Sequence, residues 1–139
     1  MFLWTKLKNN KYEEMKNTSF GPHLMFDLNE CNVEKLNDYK FIYELLYNIP
    51  DMIGMTKITQ PYVFPYSGLV PEDEGITGIV IIAESHCSIH TFPKKNYVFI
   101  DIFSCKYFET EEIKNYLINQ FESKTYEVHF AERGKDFPR

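Results

Sequence analysis

Two apolar runs organise the second half of the chain. "GIVIIA" (residues 78–83) and "YVFIDIFSC" (residues 97–105) both read as buried strands. Upstream, "HLMFDL" (residues 23–28) predicts a first strand. Asn32 then stands at an N-cap position, and "VEKLNDYKFIYELLYNI" (residues 33–49) spaces Leu36, Tyr39, Tyr43, Leu46 and Tyr47 along one helical face. Pro50 predicts the end of that helix. "TKITQPYVF" (residues 56–64) reads as a strand that Pro61 bends or confines to a sheet edge, and "PYSGLVPEDEG" (residues 65–75) reads as a loop. Thr110, Glu111 and Glu112 open a second helix, with Ile113, Tyr116, Leu117 and Phe121 as its apolar face. "TYEVHF" (residues 125–130) alternates as a last strand. Residues 1–19 are polar and weakly patterned, an N-terminal arm, which leaves residues 20–139 as one domain. Two helices among five or six strands predict an α+β fold: a two-layer α/β sandwich, mostly antiparallel sheet with helices packed on one face.

Composition narrows the function classes. With 44% hydrophobic and 17% aromatic residues the chain is that of an ordered protein. A net charge of −5 gives no general reason to expect nucleic acid or an anionic membrane as partner, and the lysines at 6, 8, 11 and 16 read as a solvated arm. Cys31, Cys87 and Cys105 form no C-x-x-C pair, so no disulfide framework is expected. No apolar run is long enough to span a bilayer, and "MFLW" is too short for a signal peptide; the expected compartment is the cytoplasm. No dinucleotide or Walker motif is present.

The reactive side chains gather between the two apolar runs, in "AESHCSIHTFP" (residues 83–93). His86 and His90 have the spacing of a metal pair, but on a strand they lie roughly 13 Å apart, too far to share one ion. On a helix they would suit zinc, yet "SIHTF" is a poor helix interior, and no metal is expected. Ser85 lacks the G-x-S-x-G turn of a Ser-His hydrolase. Taken singly, a Cys or His here is more often packed or hydrogen-bonded than reactive.

In combination the residues say more. "TGIVIIAESHCSIHTFP", followed by "YVFIDIFSC", closely resembles the prokaryotic S-adenosylmethionine decarboxylase family, pyruvoyl enzymes made from a self-cleaving proenzyme. The resemblance runs over roughly residues 21–134 and is densest at Glu84-Ser85-His86, at His90-Thr91-Phe92-Pro93 and at Cys105. "GPHLMFDLNEC" (residues 21–31) and "HFAERG" (residues 129–134) are weaker echoes.

The resemblance implies that the Ser85 hydroxyl attacks the Glu84 carbonyl, an activated-nucleophile step. Cleavage between Glu84 and Ser85 would leave a β chain, residues 1–84, and an α chain, residues 85–139, that begins with a pyruvoyl group made from Ser85. By position Thr77 and His90 match the groups that assist processing, and Cys105 matches the proton donor. The pyruvoyl carbonyl would hold the amino-acid-type substrate as a Schiff base and accept the electrons left by CO₂. A homodimer of cleaved protomers with active sites near the interface is implied as well. Alternation along the strand puts Cys105 on the face of Asp101 and Tyr97. Ser85 and His90 are an odd number apart, so a turn at residues 84–85, or the cut itself, must release Ser85 if both line one site. Cys87 has no counterpart role and reads as packing.

Where the family typically reads Trp-Pro-Glu, this chain has Phe92, Pro93 and Lys94. Phe92 keeps an aromatic face for adenine. Lys94 replaces a carboxylate suited to ribose hydroxyls with a cation, and the lengthened loop adds Glu72, Asp73 and Glu74. That triplet reads either as a solvated loop or as a carboxylate pocket for a distal cation. Three functions follow: decarboxylation of S-adenosylmethionine for polyamine (spermidine) synthesis, the same machinery acting on arginine or ornithine, or a non-catalytic relative that regulates a partner enzyme. The first leads on family membership. The third is disfavoured by the joint presence of Ser85, His90, Cys105 and Thr77.

Overall fold

The structure is a computed structural model, and it describes residues 19–138. The expectation for the arm therefore lies largely outside the described residues. Six strands form one antiparallel sheet: β1 (Gly21–Asn29), β2 (Tyr62–Tyr66), β3 (Gly75–Ile82), β4 (Ser85–Phe92), β5 (Tyr97–Phe103) and β6 (Thr125–Arg133), in the order β2-β3-β4-β5-β1-β6. Three helices accompany them: α1 (Val33–Leu36), α2 (Tyr39–Met52) and α3 (Thr110–Phe121).

Period-two alternation sorts each central strand into two faces. Leu24, Phe26 and Leu28 of β1, Val80 and Ile82 of β3, Ile89 of β4, and Val98, Ile100 and Ile102 of β5 point into the core. Ile42, Leu45, Leu46 and Ile49 of α2 and Ile113, Leu117 and Phe121 of α3 cover them. The two helices meet where the rings of Phe41 and Phe121 cross edge to face, 5.3 Å apart. Gly78 lets α2 settle on the sheet, since a Cβ there would lie 2.6 Å from Leu46 Cδ1. All three helices belong to one layer, so the two-layer sandwich holds. No helix among the described residues is long and apolar enough to cross a membrane.

Several local expectations need correction. The first helix is two helices. Asn32 caps α1 as expected, but Asn37 terminates it and the Asp38 side chain accepts a hydrogen bond from Phe41 N–H to start α2. Tyr39 and Tyr47 are consequently exposed, and Pro50 is a buried residue inside α2 rather than its stop. The strand expected over residues 56–64 begins only after Pro61 and runs through Pro65, which an edge strand tolerates. The reactive segment is itself a strand: β4 pairs with β3 across a turn at Ala83–Glu84, and with β5 on its other side.

Candidate active site

The residues singled out by the sequence fall into two groups at opposite ends of β4. At its start, Ser85 pairs with Ile82 across the Ala83–Glu84 turn, Glu84 being exposed. Ser85 shares the core-facing side of β4 with Cys87 and Ile89 and is 7% exposed. Its Oγ is buried with no hydrogen-bond partner among the described residues. Native structures satisfy the large majority of such groups, and the exceptions concentrate where chemistry is done.

Cys105 reaches the same turn, its thiol donating to the Ala83 carbonyl at 3.3 Å. Here the alternation expectation fails. β5 ends at Phe103, and the chain turns through Ser104, whose Oγ accepts from Lys106 N–H at 3.1 Å. Cys105 therefore packs against the core cluster, while Asp101 bonds His23 Nε2 at 2.9 Å on the opposite face.

At the other end of β4, register places Thr77 directly opposite His90, and Thr77 Oγ1 lies 3.1 Å from His90 Nδ1. Both belong to the face that carries no helix. Phe64, Tyr66, Asp73, Thr91 and Phe92 complete the lining of a cavity of about 400 Å³ over this pair. Ser85 and His90 are five steps apart along the strand, roughly 17 Å. One chain thus unites Ser85 with Cys105, and Thr77 with His90, without uniting the two pairs.

The three candidate substrate carboxylates are distributed unevenly. Glu74 Oε1 lies 3.1 Å from Lys94 Nζ, which also donates to the Pro71 carbonyl at 3.3 Å. Asp73 pairs with Lys95. Glu72 is exposed and does not line the cavity. Lys94 is thus held by the acidic loop itself.

Burial decides the remaining cysteines. Desolvation pushes the Cys87 thiol up to about 12, and that of Cys31 up to about 11 against a lowering hydrogen bond from Ser123. Both stay protonated and unreactive at neutral pH. All three cysteines lie among the described residues, and none forms a disulfide.

Sequence reasoning missed a cluster around Phe103, on the helix-free face beside the Ala83–Glu84 turn. His23 and His86 rings approach Phe103, each at 5.7 Å, and the Arg133 guanidinium lies 4.1 Å over it. Burial first, then the His23 and Arg133 charges, lower the His86 pKa against the opposing pull of Asp101. A signal existed in Asp101, a charge inside an apolar run. Elsewhere on this face Asp27, Glu127 and His129 place ligand atoms within 4.8 Å of one another and could hold a cation. His129 Nε2 stands 3.2 Å from Asp27 Oδ2 and 3.5 Å from Glu127 Oε2.

Comparison with known proteins identifies the family. The family model for S-adenosylmethionine decarboxylase matches residues 22–134. An S-adenosylmethionine decarboxylase proenzyme of Clostridium botulinum strain Loch Maree is 34% identical over 83% of this chain and 95% of its own. One from Symbiobacterium thermophilum is 36% identical over 67% of this chain and 66% of its own, so the match spans just under two thirds of that relative. The crystal structure of the adenosylmethionine decarboxylase from Aquifex aeolicus superposes with a TM-score of 0.70 at 28% identity, covering 84% of this chain and 92% of that one.

Proposed function

Since the chain belongs to the S-adenosylmethionine decarboxylase family, we propose that it is a cytoplasmic pyruvoyl-dependent carboxy-lyase. It processes itself between Glu84 and Ser85 and acts on S-adenosylmethionine to supply aminopropyl groups for polyamine synthesis. The observation that carries this reading is the buried, unpartnered Ser85 Oγ beside a turn that the Cys105 thiol touches. An unsatisfied hydroxyl is available to react, and the exposed turn next to it can open without dismantling the core.

In processing, Ser85 Oγ bonds to the Glu84 carbonyl carbon as the amide C–N bond breaks, giving an ester. Loss of the Ser85 α-proton then expels the Glu84 carboxylate and cuts the chain into residues 1–84 and 85–139. Hydrolysis with release of ammonia leaves a pyruvoyl group at residue 85. Such a group supplies an electron sink for the carbanion left by departing CO₂. Cys105, close to this end of β4, delivers the proton that ends the reaction. The cysteines at 31 and 87 are too deeply buried to compete for that role.

Thr77 and His90 assist processing, and their separation from Ser85 favours a homodimer. The helix-free face exposes Tyr62, Ile81 and Phe99. A two-fold pairing through this face would bury these side chains and bring the Thr77–His90 pair of one protomer toward the Ser85 turn of its partner. Each active site would then be assembled from two chains.

The cavity over Thr77 and His90, walled by Phe64, Tyr66 and Phe92, suits the adenine end of the substrate. Pairing of Asp73 with Lys95 and of Glu74 with Lys94 argues against a distal-cation pocket. The test is CO₂ release from carboxyl-labelled S-adenosylmethionine, arginine and ornithine. Release from the first alone is expected. Faster release from arginine or ornithine would transfer the same machinery to that substrate, and release from none, with an intact chain, would leave a non-catalytic relative.

A further inference from the structure

Beside the cavity, two short turns face each other and are joined by ion pairs. Residues 71–74 carry the carboxylates and lead into β3; residues 93–95 carry the ammonium groups and follow β4. Gly75 makes the join close, because a Cβ there would lie 1.9 Å from the Thr91 carbonyl oxygen. Ile76 N–H donates to Thr91 Oγ1 at 2.9 Å, and Thr91 in turn donates to the Leu36 carbonyl at 2.9 Å. Both turns are thereby anchored to buried groups, and the two ion pairs cross between fixed supports. Asp73 is the carboxylate that lines the cavity itself.

We infer that Lys94 and Lys95 determine the class of substrate by cancelling Asp73, which lines the cavity, and the adjoining Glu74: the cavity takes the uncharged, planar end of a nucleoside and rejects a substrate ending in a distal cation. The inference rests on the decarboxylase reading and names the residues that make it selective. A planar ring needs only the aromatic walls, which Phe64, Tyr66 and Phe92 provide. A guanidinium or ammonium entering the cavity must shed water, and that cost is recovered only against an uncommitted carboxylate. Here both carboxylates already face a cation, so an incoming one meets competition instead of a partner. Both pairs are about half exposed, which limits each of them singly; they act together beside one cavity.

The experiment is an NMR chemical-shift titration of the full-length purified protein with 5′-methylthioadenosine, a neutral nucleoside, and with propylguanidine, an alkyl cation. Neither ligand can be decarboxylated, so the readout does not depend on turnover. Wild type is expected to bind the nucleoside, with propylguanidine weaker by about tenfold or more. Lys94→Ala with Lys95→Ala should tighten propylguanidine by about tenfold while the nucleoside changes by less than about threefold. Lys94→Met with Lys95→Met should give the same gain while retaining apolar stems, and the double Arg variant should keep the wild-type pattern. Unchanged propylguanidine affinity in both neutral variants, with the nucleoside still bound, would overturn the role of the lysines while leaving the decarboxylase reading intact. A wild type that binds propylguanidine and not the nucleoside, or neither ligand, would overturn the nucleoside reading and this inference with it.

Discussion

The two ends of β4 are made of similar residue types and are built for different work. At the Ser85 end a hydroxyl is buried without a partner, next to a tight turn and a thiol. At the His90 end a hydroxyl and an imidazole bond each other at 3.1 Å on an exposed surface. On the proposed reading, the first end leaves unsatisfied a group that is to be changed. On the same reading, the second keeps paired two groups that are to act on something else. One reaction is thus, on this proposal, divided between the two faces of a single strand.

Substitutions can break this division in graded steps. Ser85→Ala should abolish cleavage completely, leaving one 139-residue chain on a denaturing gel; cleavage in this variant would remove Ser85 from its role. Cys105→Ala should still be cut but lose about 10²–10⁴-fold in CO₂ release, the usual contribution of a general acid. Full activity would return Cys105 to simple packing against the core.

His90→Ala should slow cleavage by about 10²-fold, and Thr77→Val by about tenfold or less, the worth of one hydrogen bond. Co-expression of His90→Ala with Ser85→Ala sharpens the comparison further. If the two ends act across a dimer, about half of the His90→Ala chains should be cut, the share residing in mixed dimers. No rescue would mean that both ends must serve the same chain.

The smallest expected effect is a pH dependence beside the Ser85 end. The folded protein holds the His86 pKa below its ordinary value of 6.5, chiefly by burial, with His23 and Arg133 adding and Asp101 opposing. Below pH 6.5 the unfolded chain gains the proton more readily, so stability should fall as pH drops from 6.5 through the folded pKa. In denaturant melts from pH 7.5 to 5, His86→Gln should flatten that part of the profile; an unchanged slope would assign it to other groups.

Much of this layout was legible in the chain, for reasons that can be named. The core strands β1, β3 and β5 announced themselves because they are buried on one face and bear mostly apolar residues at alternate positions, whereas β4 buries Ser85 and Thr91 and did not. Asn32 was readable as a cap because capping is local. The break at residues 37–38 was not, since Leu36, Tyr39 and Tyr43 keep helical spacing straight across it. The Thr77–His90 contact follows from hairpin register, which needs only the position of the turn. The place of Cys105 depends on where β5 ends, a tertiary matter fixed by Ser104 and its bonds to Lys106. The pairing of Lys94 and Lys95 with the acidic turn was illegible for the same reason: Glu74 and Lys94 are 20 positions apart in sequence, and only the β3–β4 hairpin brings them together.

The central claim is that the chain cuts itself at Ser85 to make its own cofactor, and a denaturing intact-mass spectrum of the purified wild-type protein tests it most directly. The account predicts two species, residues 1–84 and residues 85–139, the second lighter than its unmodified sequence by one ammonia. A single intact chain that stays intact on prolonged incubation would contradict it.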